Sequence, residues 1–272
     1  MEKITSESNK KIKNIKKLID NPRYRKKQGL FVVEGERIVE EAIKREAAVE
    51  IFVDEENNPI FFNKSEDGFE NFKNIEKSDN FKLDNLNNYK ALENSHRFDL
   101  SNISVPVTVV SGNIFKELSN TINSQGIIAL CKIPDGFDLS KYLSENLSEN
   151  NPAKPPLLLL LDGIQDPGNL GTIIRSSLGA DVEALILSKN SVDIFNPKVL
   201  RSTMGAVFDL DFCYVDFLPE VIDMLKSNGF NIYATLPDES NVYYDCDYNL
   251  PTAIIIGNEA SVKKILIYLR IV

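Results

Sequence analysis

Three short segments carry the residue types that could do chemistry, and each follows a run of apolar residues. The first, DGIQDPGNLGTIIRS, spans Asp162 to Ser176. Its Gly163, Gly168 and Gly171 permit tight turning and close backbone approach, and Asn169 is placed to cap the helix that follows, freeing its N-terminal amides for an anion. Arg175 falls about two turns into that helix. The second, SVDIFNPKVLRSTMG (Ser191 to Gly205), offers Asn196 and Pro197 as an N-cap and first-turn pair, with Lys198 and Arg201 in the next turn. Two cations near a helix start oppose the macrodipole unless an anion sits there too, which points to phosphate. Solvated surface cations are the plainer alternative. The third, IIIGNEA (Ile254 to Ala260), runs a buried-type strand into Gly257, Asn258 and Glu259. The glycine suits close approach of a ligand, and the carboxylate could orient an arginine or a substrate hydroxyl.

Other chemistries lack their residues. There is neither GxGxxG nor GxxxxGK[ST], which disfavours a dinucleotide fold and a P-loop. The single histidine, His96, lies in a poorly patterned stretch, so Ser-His-Asp catalysis and histidine-ligated metals have little to work with. Cys131, Cys213 and Cys246 stand far apart and form no CxxC pair, which argues against a disulfide framework or a structural zinc site. They are expected to be reduced and buried, and no metal is expected.

The elements that must position these loops are legible from periodicity. In KKIKNIKKLID, Ile12, Ile15, Leu18 and Ile19 recur at helical spacing among lysines, and Asn21-Pro22 ends the pattern. The basic stretch RYRKKQG leads into LFVVEG, a buried-type strand, and then a helical pattern in ERIVEEAIKR. From Asp54 to about Ser104 an Asn-, Lys- and Phe-rich stretch supports no element. Order returns with VPVTVV, a helix near Phe115 to Leu118, and GIIALCKI, which can complete a first sheet. Residues 134 to 156 are polar and bracketed by prolines, and read as a linker. Beyond them strands and helices alternate: LLLLLDG, NLGTIIRSSLGA, EALILS, NPKVLRSTMG, DLDFCYV, LPEVIDMLKSNG, FNIYATL and AIIIGNE. Such alternation implies a parallel sheet covered on both faces, with ligands gathered at the carboxyl ends of its strands. The expected architecture is α/β, a small N-terminal domain over 1–133 and a parallel-sheet domain over 157–272.

Composition sets the setting. The chain has 272 residues, 43% of them hydrophobic, and a formal charge of −9. No apolar run approaches the ~18 residues that span a bilayer, and no apolar core follows the basic N-terminus as in a secretory signal. A cytoplasmic protein that does not enter the membrane is expected. Residues 1 to 27 hold ten basic and three acidic residues, leaving 21 basic and 37 acidic in the remainder, so a +7 head precedes a −16 body. A clustered basic segment can engage a polyanion despite net negative charge, because phosphate contacts depend on local potential and counterion release. Arg23, Arg25, Lys26 and Lys27 end that segment.

Taken together, DPGNLGTIIRS, VDIFNPKVLRSTMG and IIIGNEA resemble the successive motifs of the SpoU/TrmH family, RNA ribose 2′-O-methyltransferases of the SPOUT superfamily. NPRYRKKQGLFVVEGERIVEEAI similarly resembles the small substrate-binding domain that precedes the catalytic domain in many members, and NSQGIIAL the strand that closes it. The resemblance implies binding of S-adenosylmethionine in a C-terminal domain with a trefoil knot, a homodimer, and methylation of a ribose hydroxyl in ribosomal or transfer RNA. It implies that Asn169, Arg175 and Glu259 are catalytic, with Arg175 the family's arginine. Thr235, Leu236, Gly257 and Asn258 match cofactor-contacting positions. Asn196, Lys198 and Arg201 fall in a stretch facing RNA phosphate, joined by Arg23, Arg25, Lys26 and Lys27. This sequence has 13 residues after Glu259 and contains neither the IPM nor the SLN of the family's third motif, so a shortened C-terminus is expected. It reads GNEA where GNEG is common, and has Ser124 where proline usually precedes the Gln-Gly pair. The alternative is a catalytically inactive RNA-binding relative. A small-molecule α/β enzyme using the Gly168 loop for phosphate is a further one.

Overall fold

Apolar runs bounded by turn residues become the strands of two five-stranded sheets in the computed structural model, which describes residues 2–56, 64–65, 68–69, 104–119, 121, 123–146, 155–235 and 243–257. His96 and the bulk of the Asn-rich stretch lie outside these residues, as do Leu236, Asn258 and Glu259. The chain divides into two compact units, one made of residues 1–17 and 32–132, the other of 18–31 and 133–272.

The first unit is built on a mixed sheet in the order β1-β6-β3-β7-β2. Its strands are β1 (Glu2–Ile4), β2 (Leu30–Glu34), β3 (Ala48–Asp54), β6 (Val107–Val110) and β7 (Ile127–Lys132), and a two-residue pair, β4 (Lys64–Ser65) with β5 (Gly68–Phe69), stands apart. β6 runs parallel to β1 and β3, whereas β7 is antiparallel to β3. Four of these strands have no signal in the sequence, the pair β4 and β5 within the Asn-rich stretch and two strands of the main sheet. β1 is three residues long, and β3 lies between a helix and the polar DEENNP cluster. Three helices accompany the sheet: α1 (Lys10–Asp20), which continues beyond this unit, α3 (Glu36–Lys44) and α4 (Gly112–Leu118). α1 buries Ile12, Ile15 and Leu18, the stripe its spacing predicts. α4 starts a turn before the expected Phe115, at a Ser111 cap whose side chain makes no capping bond, which leaves only a faint start signal.

Much of the basic head is occupied internally. Lys11 bonds Glu2 at 2.6 Å and Glu50 at 2.7 Å, Lys3 bonds Glu55 at 2.5 Å, and Lys16 bonds Glu117. Hydrogen bonds to Glu2 and Glu50 raise the Lys11 pKa. Pairs this exposed add little stability, so their main effect is to remove lysines from the surface charge available to a polyanion.

The second unit contains α2 (Pro22–Gln28), α5 (Leu139–Asn146), β8 (Leu157–Asp162), α6 (Pro167–Gly179), β9 (Ala184–Ser188), α7 (Pro197–Thr203), β10 (Asp211–Val215), α8 (Leu218–Ser227), β11 (Asn231–Ala234) and β12 (Thr252–Gly257). Every pairing in its sheet is parallel, in the order β10-β9-β8-β12-β11. α2 is unexpected, because Asn21-Pro22 reads as a stop. The same two residues also make a start: Asn21 accepts from Tyr24 N at 3.0 Å, Pro22 occupies the first turn, and Gly29 closes the helix at φ +64°. Within the expected linker, Leu139 and Leu143 of α5 are buried among Leu158, Leu160, Ile222 and Phe230. Two leucines four apart in a polar stretch are enough to dock a short helix.

The cysteines are free, but only Cys131 is fully buried, while Cys213 and Cys246 are half-buried. Burial holds the Cys131 thiol far above its usual range and pushes Cys213 up to about 11. Native protein at pH 8 is therefore expected to resist iodoacetamide at both positions, while unfolded protein labels at all three; rapid native labelling of Cys131 by mass spectrometry would contradict this packing. Among the described residues no helix is long and apolar enough to cross a membrane, and no cluster of metal-binding side chains occurs.

Candidate functional site

The carboxyl ends of β8, β12 and β11 lie side by side. Gly257 is in register with Asp162, and Thr235, just past β11, sends both its N–H (3.0 Å) and its hydroxyl (3.1 Å) to Ile255 O. The turn after β8 is fixed from the neighbouring strand. Gly163, at φ +65°, donates its N–H to Ser188 Oγ at 2.9 Å, and Ile164 donates to Ser191 Oγ at 3.2 Å. Val192 N then donates to Ile164 O at 2.8 Å. Ser188 and Ser191 carry no local signal in the sequence, and their role shows only once β8 and β9 are adjacent.

Helix α6 rises from that turn, but Asn169 is not its cap. Asp166 is, accepting from Asn169 N at 2.8 Å, with Pro167 in the first turn. Proline lacks an N–H and suits the first helical position, so it sets the cap one residue before itself and places Asn169 inside the helix. The Asp166 carboxylate thus occupies the helix start that would otherwise face an anion. Asp166→Ala is expected to cost about 1 kcal/mol of stability, and Asp166→Asn much less; equal melting temperatures for wild type and the alanine variant would refute the cap. Asn169 and Arg175 are both exposed, and six residues separate them by about 9 Å along the axis. Gly171 faces the other way, into α7, where an added Cβ would lie 2.2 Å from Ser202 Cβ.

The loop between β9 and α7 is equally well defined. Asn196 caps α7 as expected, accepting from Lys198 N at 2.9 Å. Tyr214 reaches in from β10, donating to Val192 O and accepting from Ile194 N, both at 2.9 Å. Burial raises its hydroxyl well above the usual tyrosine range, so it remains a donor at any physiological pH. Asp193 Oδ1 accepts from Phe195 N at 3.0 Å. Lys198 is exposed and Arg201 half-buried.

The four cations of the N-terminal segment separate. Arg23, Lys26 and Lys27 are exposed on one side of α2, whereas Arg25 is 3% exposed. Arg25 donates to Asp193 Oδ2 and to the carbonyls of Leu18 (2.6 Å) and Ile19 (2.9 Å). Grouping Arg25 with surface phosphate contacts therefore needs correction: a side chain this buried is held by protein acceptors. Of the remaining site residues, the structure brings Thr235 and Gly257 to one sheet edge; Leu236, Asn258 and Glu259 lie outside the described residues.

A parallel α/β sheet with chemistry-bearing turns at its carboxyl edge, joined to a small mixed-sheet unit, is the architecture of SPOUT methyltransferases. A solved RNA 2′-O ribose methyltransferase matches 97% of this chain and 86% of its own, with a TM-score of 0.61 at 26% identity. The rRNA methyltransferase of Sinorhizobium meliloti shares the fold, with a TM-score of 0.67 over 98% of this chain and 86% of its own at 19% identity. The SpoU rRNA methylase family matches residues 156–262, and the MRM3-like substrate binding domain matches residues 9–129. Residues 156–262 thus carry a SpoU rRNA methylase domain. Among relatives, the 23S rRNA (guanosine(2553)-2′-O)-methyltransferase of Bacillus subtilis is 29% identical over 96% of this chain and 84% of its own length. The human mitochondrial rRNA methyltransferase 3 is 26% identical over 93% of this chain and 48% of its own.

Proposed function

We propose that this protein transfers a methyl group from S-adenosylmethionine to a ribose 2′-hydroxyl of ribosomal or transfer RNA. The observation that carries the reading is the arrangement of the turn after β8, Thr235 and Gly257 along one edge of the parallel sheet, in a chain matched by the SpoU family across that whole region. On this reading residues 1–133 contribute the RNA-binding domain, residues 134–156 connect, and residues 157–272 the methyltransferase domain.

The residues at the strand ends suit the cofactor. The described positions there are Asp162, Gly163, Thr235 and Gly257, so besides the Asp162 carboxylate a ligand would meet backbone groups and one small hydroxyl. A purine edge, with alternating donors and acceptors, is satisfied by such groups without a charged side chain. Thr235, Leu236, Gly257 and Asn258 are the residues proposed to hold it. When bound, the sulfonium supplies an activated methyl, so little covalent chemistry is left to the protein.

What the chain's own residues must do is align and neutralise. Arg175, exposed on α6, offers a planar guanidinium that can clamp the phosphate beside the target ribose and stabilise charge developing on its 2′-oxygen. It does not act as the base, since arginine stays protonated. Asn169 and Glu259 complete the proposed catalytic set by orienting the nucleotide. Lys198 and Arg201, with Arg23, Lys26 and Lys27 on α2, are proposed to contact backbone phosphate, and the 2′-hydroxyl distinguishes RNA from DNA.

Calorimetric titration with S-adenosylmethionine alongside labelled-methyl transfer to bulk RNA tests the assignment. Cofactor binding with RNA-dependent transfer is expected; RNA binding with no cofactor binding would overturn it. The reading includes a homodimer working in the cytoplasm, supported by the family resemblance. Sedimentation should give a dimer at micromolar concentration, and a monomer there would remove that part.

A further inference from the structure

The loop between β9 and α7 is held by residues from the far N-terminal part of the second unit, through two side chains of unlike chemistry. Arg25 donates from Nε (3.0 Å) and Nη2 (2.5 Å) to Asp193 Oδ2, while its Nη1 closes on the carbonyls of Leu18 and Ile19 at the end of α1. Two positions along the same loop, the Phe195 ring lies 4.4 Å from that of Phe31, which also faces Phe208 at 6.0 Å. Asp193 and Phe195 are thus the polar and apolar halves of one dock for residues 18–31.

The loop they hold is also the one that grips the turn after β8. Val192, next to Asp193, donates to Ile164 O at 2.8 Å, and Ser191 accepts from Ile164 N at 3.2 Å. Ile164 is two residues from the Asp166 cap of α6, the helix that carries Arg175. A continuous path of bonds therefore runs from a buried guanidinium to the base of that helix. A guanidinium is suited to this task because it serves three acceptors from one rigid plane, which a lysine ammonium on a flexible stem does less well. Its burial also makes the pair consequential. An ion buried without its partner is strongly disfavoured, so the docked segment favours the ordered loop.

We propose that Arg25 is a positioning residue for methyl transfer: by holding Asp193 it fixes the β9–α7 loop, and through that loop the turn from which Arg175 rises. This inference rests on the methyltransferase reading of the site. Its role is distinct from that of Arg23, Lys26 and Lys27, which share its helix but face solvent.

The test compares Arg25→Met, Arg25→Lys, Asp193→Asn and the double variant Arg25→Met/Asp193→Asn in the full chain. Asp193→Asn keeps an acceptor for Phe195 N while removing the charge, so it carries the test should Arg25→Met fail to fold. Amide exchange at Ile164 and Val192 should quicken about tenfold or more, with the β8 amides of Leu158 to Leu161 unchanged. Turnover on RNA from cells lacking this protein should fall roughly 10- to 100-fold, with S-adenosylmethionine affinity falling much less, because Thr235 and Gly257 are held by the strand pairing of β11, β12 and β8 rather than by this loop. The double variant should be no worse than the poorer single one, and Arg25→Lys should recover part of the loss. Wild-type turnover in a folded Asp193→Asn variant would overturn the proposal, as would exchange raised equally throughout β8 and β9. If the wild-type protein transfers no methyl, the functional reading fails separately, and the exchange pattern still decides whether Arg25 fixes the loop.

Discussion

Arg175→Ala is expected to reduce methyl transfer by roughly 100- to 1000-fold, the loss typical of removing one preorganised donor to a developing oxyanion. Affinity for RNA should change less than about fivefold, because an exposed charge contact contributes at most about 1 kcal/mol. The two effects separate because binding is shared with the cations of α2 and α7, whereas charge on the 2′-oxygen exists only in the transition state. Arg175 is exposed on a helix whose start is fixed by Asp166 and Pro167, so its truncation should leave the fold intact. Arg175→Lys should recover only a small part, since a point charge does not reproduce a planar two-point clamp. Unchanged turnover in the alanine variant, with folding confirmed by circular dichroism, would remove Arg175 from the mechanism.

The largest expected effect on stability comes from the same helix, at Gly171. Ordinarily, Gly→Ala inside a helix gains about 1 kcal/mol. Here the new Cβ would lie 2.2 Å from Ser202 Cβ and 3.1 Å from both Ser202 C and Val199 O. Two of those three atoms are backbone, so a rotamer change cannot relieve the contact. Gly171→Ala is therefore expected to destabilise by about 1–3 kcal/mol, and Gly171→Val by more. At ~2–4 °C per kcal/mol for a unit of this size, the alanine variant should melt several degrees lower. At Gly179, the end of the same helix, an added Cβ would meet nothing within 4 Å, and Gly179→Ala should be neutral or slightly stabilising. Opposite signs for the two variants are the informative result; an alanine at 171 as stable as wild type would mean that α6 and α7 do not approach this closely.

Much of the second unit is readable in its residues because its inner strands β8 and β9 are buried on both faces. Leu157 to Leu161 and Ala253 to Ile256 need no alternation to be recognised, and a glycine stands just past the first strand and at the last position of the second. The first unit is harder, since β3 opens on half-buried positions and its seven residues adjoin polar chain at the far end. At the site, DPGN contains two residues able to cap a helix. Proline decides between them, and a reading that weighs asparagine alone sets the cap three residues late. The Arg25–Asp193 pair had no local signal at all, because 168 residues separate the partners. Charge counting sees Arg25 as one cation among ten in the basic head. Only the fold distinguishes it from its neighbours on α2.

The division of the chain has a bearing on how the molecule is made. Its second unit takes a short strip, residues 18–31, from one end and a long body, residues 133–272, from the other. During synthesis on a ribosome that strip emerges early and must wait for its acceptors on the β9–α7 loop, which arrive only after the whole intervening unit has been translated. Cutting the gene at residue 133 would therefore not yield a self-sufficient second unit: the fragment would carry Asp193 and Phe195 without the Arg25 and Phe31 that dock against them. A split version of this protein should regain order only when the early strip is supplied in trans.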